Sequence, residues 1–201
     1  MQEASRNRRR SEIMDIAVEV LAERGYRDTS MLEIANRASA SKETLYAWFG
    51  DKRGLFEAII QRNARSVQTV LAHHLEEHAP TERILVDFGR ALLKLLLGDS
   101  AIAINRAAIS EARSDPTLAQ TLASAGREAT LPAFIQFLEL HREHGFVAID
   151  SPADAAEHFL GLLLGDAQIR RLLGVLPSPS KAQIESAAAR ATKAFLRLYE
   201  A

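Results

Sequence analysis

The side chains best suited to chemistry in this chain are hydrogen-bond donors and acceptors rather than nucleophiles. Ser30, Arg37, Ser41, Lys42, Glu43, Thr44, Tyr46, Ala47, Trp48 and Lys52 fall close together. Hydroxyls and cations in such a cluster suit phosphate oxygens, and polar groups projecting from a helix can reach base edges. Ser30, Tyr46 and Lys52 are read as phosphate contacts. Lys42 and Thr44 are read as contacts to base edges or nearby phosphates. Catalytic alternatives find little support. Cysteine is absent, which removes disulfides, Cys-based zinc sites and Cys/His nucleophiles, and no Ser/His/Asp grouping can be argued. His73, His74 and His78 form HHxxxH, in which His74 and His78 at i, i+4 could reach one metal ion. Leu75 stands where HExxH hydrolases place their Glu, with Glu76 and Glu77 at a different spacing, and the neighbours His73 and His74 face about 100° apart on a helix. A solvated helix end is therefore expected, with no metal and no cofactor. His141 and His144 are expected to interact with a helix C-terminus.

The elements that must position the cluster are legible around it. Ile13, Ala17, Val20 and Leu21 make one apolar face of a first helix, and Gly25 suits its C-terminus. Ser30 to Glu33 reads as a capping box opening a second helix, whose buried side is Met31, Ile34, Ala35 and Ala38. Residues 38–40 are a turn, and Ser41 caps a third helix that Leu45 and Phe49 point inward. Lys42, Glu43, Thr44, Ala47 and Trp48 are left facing outward. Asp51 caps the next helix, where Lys52 meets phosphate. Two short helices joined by a tight turn of small residues form a helix-turn-helix, which lays its second helix in the major groove.

The remainder is helical: about 55–78, 81–97, 101–113, 116–144, 151–173 and 180–199. Pro132 is expected to kink or split the long run, and Ser180 to Gln183 is a second capping box. No strand pattern, repeat or Gly-rich loop is present. The expectation is an all-α chain of nine to ten helices, with a three-helix DNA-binding domain over 1–54 and a ligand-binding and dimerisation bundle over 55–201.

The segment from Ile13 to Ile60 resembles the tetracycline-repressor (TetR) family. The resemblance rests on Ala22-Glu23-Arg24-Gly25-Tyr26, Thr29-Ser30, Ile34-Ala35, Ala38, Ser41, Thr44-Leu45-Tyr46, Phe49, Lys52 and Leu55-Phe56. Trp48 departs from the smaller or imidazole residue often found there. Ser110-Glu111-Ala112 before Asp115-Pro116, and His158 to Leu163, resemble the AcrR- and AefR-like subgroup in the second half. The resemblance implies a ligand-responsive regulator, most often a repressor, that binds a palindromic operator as a homodimer and is released by a small effector. The alternative is a helical small-molecule-binding protein without DNA binding.

Phe88, Leu92, Asn105, Ile109, Phe134, Phe137, His158 and Leu162 are candidates to line an effector site, their aliphatic bias favouring a hydrophobic ligand. Phe159, Leu163, Ala167, Ala188, Ala191, Phe195 and Leu198 make stripes on the last two predicted helices. Those stripes are read as the dimer seam, with the protomer's own core as the alternative.

Charge is nearly balanced, with 25 Lys and Arg against 26 Asp and Glu. Residues 1–53 hold ten basic and nine acidic side chains, so placement must supply the footprint a DNA binder needs. Arg6, Arg8, Arg9 and Arg10 form a basic arm ahead of the first helix; it is either a frayed terminus or a phosphate or minor-groove contact. No apolar run approaches the ~20 residues of a membrane span, and a soluble, cytoplasmic protein is expected.

Overall fold

The structure is a computed structural model that describes residues 2–77, 79–145 and 147–199, with side chains left out at 2 and 73–77. The histidine pattern therefore lies outside the described residues: His78 entirely, and His73 and His74 in their side chains. Among the described residues the chain is all-α. Its helices are α1 (Gln2–Asp28), α2 (Met31–Arg37), α3 (Lys42–Phe49), α4 (Lys52–Glu77), α5 (Thr81–Leu96), α6 (Asp99–Glu111) and α7 (Thr117–Thr121). A π-helical stretch (Leu122–Arg127) leads into α8 (Glu128–Glu143), followed by α9 (Pro152–Leu164), α10 (Ala167–Leu172) and α11 (Lys181–Leu198). With the unbroken run 117–143 taken as one, these make ten helices.

The tenth helix arises where none was expected. Pro132 lies inside α8 without ending it. The irregular backbone falls one turn upstream, in the π-helical stretch, where a wider turn accommodates a residue lacking an amide. The expected helix over 151–173 instead breaks at Gly165, whose φ of 47° and ψ of −126° end α9. Only a residue without Cβ adopts that conformation readily.

Two compact units result, and neither is continuous in sequence. The first comprises residues 1–62 and 100–126, and the second 63–99 and 127–201. The boundary expected at residue 54 thus falls inside α4, and α6, α7 and the π-helical stretch join the first unit. In that unit the predicted face of α1 is buried against Ile34, Ala35, Leu45, Phe49, Leu55, Phe56 and Ile59, with Ile104, Ala107 and Leu118 completing the core. Arg62 of α4 holds α1, donating to Ser11 Oγ at 2.8 Å and Asp15 Oδ1 at 2.7 Å.

The second unit is centred on stacked aromatics. Phe88 of α5 lies 4.3 Å from Phe134 of α8, centroid to centroid, and Phe134 lies 5.2 Å from Phe159 of α9. Phe195 of α11 meets Phe159 edge-on at 5.4 Å. Gly89 lets α5 approach, since a Cβ there would sit 3.1 Å from Leu163 Cδ1 and 3.4 Å from Ala188 Cβ. The Ser180–Gln183 capping box forms in full, at 3.3 and 2.8 Å.

His141 is buried at the end of α8, where its Nδ1–H donates to the Phe137 carbonyl at 2.9 Å. Burial pushes its imidazole below the usual value, the Phe137 carbonyl opposing and His144 adding to the fall. A depressed histidine binds fewer protons folded than unfolded, so its stabilisation is complete above about pH 6.5 and is lost as pH falls toward the folded value. The melting temperature of wild type should drop more than that of His141→Asn between pH 7.5 and 5.5; equal drops would contradict this.

Candidate nucleic-acid interface

The interface is built from caps. Ser30 opens α2, its Oγ accepting the Glu33 amide at 3.2 Å. The return half of the expected box is replaced: Glu33 takes the guanidinium of Arg24 at 2.8 Å and that of Arg37 at 3.4 Å. Ala38 to Ala40 is the turn, with Ser39 at φ 47°. Ser41 then caps α3, its Oγ accepting the Thr44 amide at 3.1 Å and lying 3.0 Å from Thr44 Oγ1. Asp51 caps α4 through the Gly54 amide at 2.7 Å. The corner between α3 and α4 requires Gly54, because a Cβ there would lie 2.1 Å from the Phe49 carbonyl oxygen.

With Leu45 and Phe49 buried, α3 presents Lys42, Glu43, Tyr46 and Ala47 to solvent. Lys42 Nζ stands 5.5 Å from the Tyr46 ring. Trp48 is half-buried against the core, with the Arg6 guanidinium 5.8 Å above its ring. Its position, uncertain from sequence, is thus a platform between α1 and α3.

The basic arm proves to be the first turns of α1, and two of its arginines fold onto the helix-turn-helix. Arg9 donates to the carbonyls of Ala38 and Ser39, the latter at 3.2 Å, and pairs with Glu12 at 2.9 Å. Arg10 donates to the Trp48 carbonyl at 3.3 Å, its guanidinium 5.0 Å from the Phe49 ring. Arg6 and Arg8 remain exposed. Nothing in the sequence pattern revealed these long-range caps.

Two expected DNA contacts are placed differently. Arg37 makes a two-pronged pair with Glu23 of α1 at 2.7 and 2.5 Å, so its guanidinium braces α2. Lys52 turns to the end of α1, donating to the Tyr26 carbonyl at 2.6 Å and the Arg27 carbonyl at 3.4 Å, 4.3 Å from the Tyr26 ring. Burial pushes its ammonium below the ordinary lysine value, opposed by the charges of Glu111, Asp28 and Asp115.

The family pattern of tetR bacterial regulatory proteins matches residues 13–59, and that of the AefR-like transcriptional repressor C-terminal domain matches 83–201, more than half of the chain. The chain belongs to the TetR family. It is similar over 96% of its length to a TetR-family transcriptional regulator from Mesorhizobium loti, covering 97% of that chain at 29% identity and a TM-score of 0.78. The flavonoid-responsive regulator FrrA is 31% identical, covering 96% of this chain and 97% of its own, with a TM-score of 0.65. YvkB of Bacillus subtilis, an uncharacterized HTH-type transcriptional regulator, is 25% identical over 88% of this chain and 92% of its own. The helix formed by Lys42–Phe49 is therefore the second helix of a TetR-family DNA-binding helix-turn-helix.

The other sites expected of a TetR regulator need correction. Phe159, Leu163, Ala188, Ala191 and Phe195 are buried within the protomer, so they are core rather than seam; only Leu198 is well exposed and Ala167 half-buried. The expected effector-lining residues are divided between the two units. Phe88, Leu92, Phe134 and Phe137 are close-packed in the second unit. Asn105 and Ile109 belong to the first, where the Asn105 amide donates to the Ala101 carbonyl and Ile109 is exposed. Leu162 and His158 lie on the surface, His158 with Nδ1 2.5 Å from the Tyr199 hydroxyl.

Lys52→Met keeps the aliphatic stem beside Tyr26 and deletes the ammonium. It should destabilise the head by about 1–2 kcal/mol, the lower range for a charged hydrogen bond that stays partly solvated. The slope of log affinity against log salt should match wild type. A slope shallower by about 0.9, one phosphate's worth, would instead make Lys52 a phosphate contact.

Proposed function

We propose that this TetR-family regulator is a ligand-responsive repressor that binds a palindromic operator as a homodimer, in the cytoplasm. The observation that carries the reading is the exposed face of α3, on which Lys42, Glu43, Tyr46 and Ala47 are held outward by Ser41 below and the Arg10 cap at Trp48 above. We read Ser30 and Tyr46 as hydroxyls for phosphate beside it, and Thr44, half-buried with its Oγ1 3.0 Å from Ser41 Oγ, as a contact to base edges or nearby phosphates. One such helix reads too few base pairs for high specificity. Two related by a two-fold axis read half-sites about 34–36 Å apart.

The seam we assign to the apolar side chains that the protomer leaves exposed in its second unit: Leu162, Ile169, Leu173, Val175 and Leu198, between 42% and 70% exposed. Large aliphatic side chains this open, on one helical unit, are suited to burial against a second copy.

The effector we place in a cavity of about 420 Å³ in the second unit, bounded by Leu93, Leu97, Leu163, Leu176 and Ile184, with Gln183 and Arg190 at its polar side. That volume and lining fit a small, mainly apolar molecule with one or two polar groups. The flavonoid response of FrrA, a relative at 31% identity, agrees with that class. Binding would loosen DNA by favouring a state in which the two reading helices no longer engage both half-sites; a ~100-fold loss needs roughly 2.7 kcal/mol of coupling.

An electrophoretic shift on the gene's own upstream DNA tests the reading. Wild type should bind as a dimer, with affinity falling steeply as salt rises. The double variant Leu162→Asp, Leu173→Asp should scatter light as a monomer and lose at least ~10-fold in operator affinity. Phe159→Ala, by contrast, should cost about 3–5 kcal/mol of stability at any protein concentration. A dimer surviving both aspartates would move the seam elsewhere, and absence of any salt-sensitive complex would remove the DNA role.

A further inference from the structure

Glu43 is the single acid in α3 and sits on its exposed face, next to Lys42 and one turn before Ala47. A carboxylate there opposes the phosphate-driven part of DNA binding, so general affinity gives no reason for it. Helix capping gives only part of one. Ser41 already accepts the Thr44 amide, and among the described side chains Glu43 makes no ion pair within 4.0 Å, the Lys42 charge acting on it only from farther off. Hydrogen bonds from its own amide and from the Ser41 hydroxyl hold its carboxyl below the usual range, so it is anionic at any working pH. Those bonds use part of its acceptor capacity; a carboxylate offers about four lone-pair sites.

An anionic carboxylate accepts and never donates, which restricts what it can meet in the major groove. Guanine shows two acceptors there and thymine an acceptor beside a methyl group; both repel it or leave it unsatisfied. Adenine offers the N6 donor, but its N7 acceptor lies alongside. Cytosine offers the N4 donor with only C5–H next to it. Resting on the operator reading above, we propose that Glu43 is a specificity residue that reads a cytosine in each half-site by accepting its N4–H.

Selection from a randomised duplex pool, followed by binding assays on single-base variants, tests this. Wild type should select a half-site with one fixed cytosine. Glu43→Gln should select adenine at that position, because an amide can bond both N6 and N7, while Glu43→Ala should leave the position undetermined. A second arm uses the unaltered protein. Replacing the fixed cytosine by N4-methylcytosine keeps the base pair with guanine but puts a methyl group where the groove-facing hydrogen stood. Wild type should lose roughly 5- to 150-fold in affinity on that DNA, and Glu43→Ala should lose none. The same selected sequence for all three proteins, or tolerance of the methyl group by wild type, would overturn the assignment and leave the operator reading intact. Failure of wild type to bind any member of the pool would overturn both.

Discussion

Every helix end in the DNA-binding head must satisfy carbonyls that have no partner in their own helix, and here cations from elsewhere in the chain do it. The last turn of a helix leaves up to four such oxygens and a partial negative charge. Lys52 closes the end of α1 through the Tyr26 and Arg27 carbonyls, Arg9 closes the turn after α2, and Arg10 closes α3 through the Trp48 carbonyl. The second unit repeats the device: Arg171 of α10, buried, donates to the Leu97 carbonyl at the end of α5 and to the Leu176 carbonyl, both at 3.0 Å, with Asp99 at 2.5 Å. A hydrogen bond to a charged group contributes roughly 1.5–3 kcal/mol, more than an ion pair on the surface. These caps, rather than the many exposed ion pairs, fix the angles between short helices that have little core of their own.

The same constraint explains the charge balance. Arg9, Arg10, Arg37 and Lys52 are basic side chains of the head, yet each is engaged within the protein. The electrostatic footprint left for phosphate is correspondingly modest, resting on Arg6, Arg27, Lys42 and Arg53, which are exposed, and on Arg8, exposed but 3.5 Å from Glu12. A reader of DNA with few free cations depends more on base contacts than on charge, and α3 has room for those because its caps leave Lys42, Glu43, Tyr46 and Ala47 in solvent.

Local chemistry was legible in the sequence and distant chemistry was not. Ser41, Asp51 and the Ser180–Gln183 box act over three residues, so their geometry follows from spacing alone. The apolar face of α1 and the inward Leu45 and Phe49 follow from the helical period. Lys52 and Arg37 read equally well as phosphate ligands, because a long cationic side chain declares its charge but not the carbonyl or carboxylate, many residues away, that captures it. Phe159, Ala188 and Phe195 show the same limit for apolar groups. A stripe announces burial, and only the packing of α5, α9 and α11 says that the partner is the protomer itself. Gly165 is a further case: spacing extends one helix from 151 to 173, and only the backbone shows that a positive φ ends α9 there.

The division into units constrains how a ligand could speak to DNA. The chain crosses between them three times: within α4, at the start of α6, and where the π-helical stretch gives way to α8. The first crossing lies within the continuous helix α4. The third crossing falls at the end of the π-helical stretch, and Pro132 withholds an amide about one turn later. Asp99, the first residue of α6, is tied to Arg171 of α10, so the second crossing begins at a buried arginine cap. Leu97 and Leu176, both on the wall of the apolar cavity, accept from Arg171 through their carbonyls, so a ligand that disturbed them would act on the arginine that also holds Asp99 at the start of α6. α6 itself belongs to the same unit as the reading head, and its first residue, Asp99, is the one held by the Arg171 cap.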